Sequence, residues 1–68
     1  MMYAIYFTWD DGDEDSCNTF SAADRNQTIN HLLRKPDITD LSFCKIYRNG
    51  EYGEIIKVRE KGEHVYDR

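Results

Sequence analysis

LSFCKIYRNGEYGEIIKV, residues 41–58, decides the fold of this 68-residue chain. Two alternating segments meet at Asn49 and Gly50, and Asn-Gly between such segments predicts a two-residue type I′ turn, because both central residues then need φ > 0. The turn sets a register. It pairs Arg48 with Glu51, Tyr47 with Tyr52, Ile46 with Gly53, Lys45 with Glu54, Cys44 with Ile55, Phe43 with Ile56, Ser42 with Lys57, Leu41 with Val58 and Asp40 with Arg59. One face then reads as core: Leu41, Phe43, Tyr47, Tyr52, Ile56 and Val58, interrupted by Lys45 and Glu54. The other sets Cys44, Ile46 and Ile55 among the charge pairs Asp40–Arg59 and Arg48–Glu51 and the pair Ser42–Lys57. Opposite charges across a ladder contribute a few tenths to about 1 kcal/mol each, and a slip of one residue would mispair them all.

Upstream, Met2 to Trp9 alternates strictly, with Tyr3, Ile5, Phe7 and Trp9 on one side and Met2, Ala4, Tyr6 and Thr8 on the other. That is a strand with one buried face. The run DDGDED, residues 10–15, reads as a solvated hairpin loop, and a second strand is expected over 16–20. Ser21 with Asp24 forms the S-x-x-D version of a capping box and opens a helix over about 22–34, ended by Pro36. Its apolar stripe is Ala22, Ile29, Leu32 and Leu33 with Asn26 beside them, while Arg25, Gln27, Asn30 and Arg34 point elsewhere. Ile38 plugs the core from the following connector. The hairpin strands fall near 41–48 and 51–59, and 60–68 reads as a tail or a short extra strand.

The chain is therefore expected to be a single α+β domain of order β-β-α-β-β over residues 1–68, a four-stranded antiparallel sheet with one helix on one face. A right-handed crossover that skips a strand gives the sheet order 2-1-3-4. The alternative is 2-1-4-3, with the last strand parallel to the first.

Thirteen acidic against nine basic residues give a net charge of −4, which disfavours a general attraction to nucleic acid or anionic membrane. Five Tyr, three Phe and one Trp supply the efficient core that so short a chain needs. The N-terminus has no basic segment leading into an apolar one, and no apolar run approaches the ~18 residues that span a bilayer. A cytoplasmic protein with free Cys17 and Cys44 is expected.

Asp11, Asp13 and Asp15 have the spacing that opens a calcium loop, but Ser16 stands where that loop needs Gly and Ala22 where it needs Glu, leaving at most a weak cation site. Cys17, Cys44, His31 and His64 lack the short spacings of a zinc site or an activated thiol. No cofactor and no catalytic residue is expected. What remains is the sheet face that one helix cannot cover, where Tyr6, Cys44, Ile46 and Ile55 sit among Arg48, Lys57 and Arg59. An apolar centre with a charged rim suits a protein partner or self-association as a homodimer, through that face or an edge strand. Two alternatives use the same residues or the acidic loop. One is nucleic-acid association through Tyr6, Arg48, Lys57 and Arg59; the other is an acidic inhibitor that imitates a polyanion.

Overall fold

The computed structural model describes residues 1–60. Its elements are β1 (Met2–Trp9), β2 (Glu14–Thr19), α1 (Ala22–Leu33), β3 (Ile38–Ile46) and β4 (Ile56–Arg59). The sheet order is β2-β1-β3-β4, and every neighbouring pair is antiparallel. This is the α+β arrangement that the hairpin and the crossover rule predict. Beyond Glu60, the expected tail or extra strand lies outside the described residues.

Two tight hairpins share one design. In the first, Trp9 N–H donates to Asp13 C=O at 2.8 Å and Gly12 N–H to Trp9 C=O at 2.9 Å. In the second, Tyr47 N–H donates to Glu51 C=O at 2.8 Å and Gly50 N–H to Tyr47 C=O at 2.9 Å. Each is a three-residue loop closed by a Gly at positive φ, 95° at Gly12 and 90° at Gly50, the type I turn with a G1 bulge. An Asx side chain braces each: Asp11 Oδ1 accepts from Asp13 N–H and Asn49 Oδ1 from Glu51 N–H, both at 3.0 Å. The two-residue type I′ turn expected at Asn49-Gly50 is thus corrected, since no residue other than Gly among those described has positive φ.

The corrected loop shifts the register at the tip and a bulge restores it further in. Tyr47 lies opposite Glu51, Ile46 pairs with Tyr52, and Gly53 N–H reaches Lys45 C=O at 2.8 Å. Between there and the pair Phe43–Ile56, β3 advances two residues and its partner three, so Phe43–Ile56 and Ser42–Lys57 stand as the sequence predicts. A second irregularity then sets Leu41 opposite Arg59, which replaces the expected pairs Leu41–Val58 and Asp40–Arg59. The supposed core pair Lys45 and Glu54 is exposed. Tyr52, paired with Ile46, moves by parity to the helix-free face.

β2 begins at Glu14, earlier than the expected 16, because the tight loop uses only Asp10 to Gly12. β3 likewise begins at Ile38, where Asp10 N–H donates to Asp37 C=O at 2.7 Å and Trp9 pairs with Ile38. Thr39 is the extra residue of that junction, its hydroxyl donating to Thr8 C=O at 3.3 Å.

Ser21, extended at φ −154°, caps α1 by accepting from Asp24 N–H at 3.1 Å. The inward stripe is Arg25, Thr28, Ile29 and Leu32, with Leu33 at its margin; Ala22 and Asn26 are exposed. Arg25 turns inward because its guanidinium lies over the rings of Tyr3 and Phe43, 4.7 and 5.1 Å from their centroids. Such contacts hold a cation against apolar surface at roughly 0.5–1 kcal/mol each. The core joins Ile5, Ile29, Leu32, Ile38, Leu41 and Val58, with Phe7, Trp9, Leu33 and Phe43 packed around it. Phe7 and Trp9 meet edge to face at 5.8 Å.

Candidate interaction surface

The ladder registers fix which side chains share the helix-free face. One row runs Ser16, Tyr6, Ser42, Lys57; the next runs Asn18, Ala4, Cys44; Met2, Ile46 and Tyr52 form the row beyond. Cys44, expected at the centre of an exposed patch, is wholly buried. Tyr6 shields it. Burial first, then the hydrogen bond it shares with the Cys44 thiol, then repulsion from Cys44 and Tyr52, push the Tyr6 phenol above its ordinary value. Beside Tyr6 a shallow groove of about 520 Å³ is walled by Thr8, Ser16, Ser42, Glu14 and Asp40. Hydroxyls and carboxylates line it, a surface suited to donors rather than to phosphates.

The expected rim of basic residues is dispersed. Arg48 is exposed in the hairpin loop. Lys57 stays on the face and pairs with Glu60 at 3.4 Å. Arg59 turns to the helix side, where Nη1 donates to Ile38 C=O at 2.7 Å and to Lys35 C=O at 3.1 Å, and Nη2 donates to Leu33 C=O at 2.7 Å. Of these only the Leu33 carbonyl belongs to α1, where a helix end leaves it without an intrahelical partner, while Lys35 C=O also accepts from Ile38 N–H at 3.3 Å and Ile38 opens β3; the guanidinium charge complements the helix dipole there. The residues of the nucleic-acid reading therefore do not converge: of Tyr6, Arg48, Lys57 and Arg59, only Tyr6 and Lys57 share a row.

Asp11, Asp13 and Asp15 do not converge either. Asp11 closes its turn, while Asp15 accepts from the Trp9 indole N–H at 3.1 Å on the helix side of the sheet. Among the described residues no three His, Cys, Asp or Glu side chains gather closely enough to hold a metal ion. Cys17 is exposed on β2, and burial pushes its thiol above the ordinary value of 9.0.

The exposed apolar surface lies where the hairpin leaves the sheet. Six large hydrophobic side chains are exposed among the described residues, and four of them, Tyr47, Tyr52, Ile55 and Ile56, belong to the β3–β4 hairpin. Ile46 is half-buried beside them. The sequence pattern places Ile46 and Ile55 here but puts Tyr47, Tyr52 and Ile56 in the core, and all three are exposed. The signal that would have corrected it is the shared pattern Trp9-Asp-Asp-Gly12 and Tyr47-Arg-Asn-Gly50, one loop type written twice.

The molecule is thus a small β-β-α-β-β domain with an apolar hairpin standing off one end of its sheet. The chain matches no family model, no curated protein and no solved structure. Among the described residues, no helix is long and apolar enough to cross a membrane.

Proposed function

We propose that this domain is a non-enzymatic protein-interaction module whose docking surface is the β3–β4 hairpin with the adjoining helix-free face. The observation that carries the reading is the exposure of Tyr47, Tyr52, Ile55 and Ile56 within one hairpin, with Tyr52 on the helix-free face and Ile56, opposite Phe43, on the other. Aromatic and large aliphatic anchors at the centre of an interface supply most of its energy, and each such side chain buried adds roughly 1.5–3 kcal/mol of transfer free energy. The grooves are shallow, and among the described residues the two groups with displaced acidity, Tyr6 and Cys17, are pushed toward their protonated forms, away from use as nucleophiles at neutral pH. Self-association through the hairpin is the simplest version.

Sedimentation equilibrium across a wide concentration range tests it, together with affinity capture by the wild-type chain and by Ile55→Glu and Tyr52→Glu. The reading expects a dimer or a captured protein that either substitution releases. A monomer at every concentration, whose captured proteins both variants retain, removes it.

A further inference from the structure

A second surface, away from the hairpin, carries its own observations. Between the outer edge of β2 and the flank of α1 runs a groove of about 410 Å³, lined by Thr19, Phe20, Asp24, Thr28 and His31 among others. β2 is an edge strand with no strand beyond it among the described residues. Its hydrogen-bonding parity follows from the hairpin: Trp9 and Asp13 are a bonded pair, so the alternation continues through Phe7–Asp15, Ile5–Cys17 and Tyr3–Thr19. The N–H and C=O groups of Glu14, Ser16 and Asn18 consequently point outward. No Pro or Lys blunts this edge, the usual protection of a strand that is meant to stay unpaired.

The groove beside that edge contains an orphan. Thr19 is only 7% exposed, and its hydroxyl is buried with no hydrogen-bond partner. Buried hydroxyls are nearly always paired. A rotation of 120° about χ1 exchanges the hydroxyl with the methyl group, so the same side chain can offer its oxygen to a group entering the groove. Phe20, 69% exposed, stands at the groove's mouth as an apolar wall. Asp24 on α1 puts one carboxylate in the groove, and the far end of the same β2 edge carries two more, Asp15 on the helix side of the sheet and Glu14 on the other.

We propose that β2 and α1 together take an extended basic segment of a partner protein as a fifth, antiparallel strand. The register specifies it. A partner residue opposite Thr19 points into the groove and should be apolar; the residues four and five positions later fall opposite Asp15 and Glu14 and should be Lys or Arg. Two acidic edges repel one another, which selects a basic segment over a second copy of this chain.

The probe is the peptide Leu-Thr-Val-Thr-Lys-Lys with blocked ends. Cys17 lies in the middle of β2 and is exposed, whereas Cys44 is buried, so alkylation of the native protein reports on the β2 edge. Saturating peptide should slow Cys17 alkylation at least tenfold and shift the amide resonances of Glu14, Ser16 and Asn18. N-methylation of the fourth peptide residue, whose N–H faces Ser16, should abolish binding, and N-methylation of the third, whose N–H faces away, should leave it intact. Replacing both Lys by Glu should weaken binding more than tenfold, and Thr19→Val should weaken it about threefold. Ile55→Glu should leave it unchanged, which separates this site from the hairpin surface. Cys17 alkylation unaffected by millimolar peptide, equal binding of the two N-methylated forms, or Cys17 protection that grows with protein concentration alone would overturn the proposal.

Discussion

Replacing Arg59 with Met keeps the aliphatic stem and removes the guanidinium that reaches the carbonyls of Leu33, Lys35 and Ile38 at 2.7, 3.1 and 2.7 Å, of which Lys35 C=O keeps the Ile38 N–H. Hydrogen bonds to a charged partner contribute about 1.5–3 kcal/mol when buried. Arg59 is half-buried, so water replaces part of the loss, and about 1 kcal/mol for each of the three bonds is the appropriate scale. Loss of a cation at the helix C-terminus adds about 0.5 kcal/mol. The sum, roughly 3.5 kcal/mol, is large against the ~3–10 kcal/mol expected of a domain this size. Urea unfolding followed by the fluorescence of Trp9, the only Trp, measures it. With a slope near 1 kcal/mol per molar, the midpoint should fall by about 3–4 M. Arg59→Lys should recover about a third of the loss, because one ammonium cannot span three carbonyls. A loss below about 1 kcal/mol for Arg59→Met would refute the assignment of Arg59 as the clamp between β4 and the end of α1.

Gly12→Ala and Gly50→Ala should each destabilise by about 1 kcal/mol. Nothing lies within 4 Å of the added Cβ at either site, so thermal unfolding should show two similar decrements. Thr19→Val should stabilise the free domain by about 1 kcal/mol or more, since it removes an unpaired buried hydroxyl at constant volume; a loss of stability by the same assay would show that the hydroxyl has a partner. A thiol reagent should find one reactive group in the native protein, Cys17, and a second, Cys44, only on unfolding. Tyr6 and Cys17 hold their protons above the ordinary values of 10.0 and 9.0. The unfolded chain therefore ionises first, and their contribution is complete below about pH 9 and lost as pH rises past it. Alkaline unfolding should be less steep in the variant Tyr6→Phe, Cys17→Ser.

Strand alternation in Met2 to Trp9, the Ser21 cap, Pro36 and the handedness of crossovers were enough to specify the β-β-α-β-β order and the sheet sequence 2-1-3-4, because each is a local steric or periodic constraint. The inner register Phe43–Ile56 was legible for a less direct reason: the loop is one residue longer than a type I′ turn and the bulge before Ile56 compensates. Where the compensation is absent, parity fails, and Tyr52 lands on the helix-free face. Of the interaction residues, Ile55 and Ile46 lie in or beside the exposed apolar hairpin, whereas Cys44 is buried and hydrogen-bonded to Tyr6, and Arg59 is bound to carbonyls at the end of α1 and the start of β3. Periodicity says on which side of a strand a side chain emerges. It does not say what stands above it.

That division holds throughout the molecule. By itself the sequence determines the elements, their order and most of their faces, since turns, caps and alternation act within a few residues. Only the tertiary structure decides that Arg25 lies over Tyr3 and Phe43, that Arg59 closes the end of α1, and that β2 is an edge strand among the described residues, beside a groove. Those outcomes depend on contacts between residues 18 to 26 positions apart in the chain, and long, flexible side chains such as Arg take whichever partner the packed fold brings within reach.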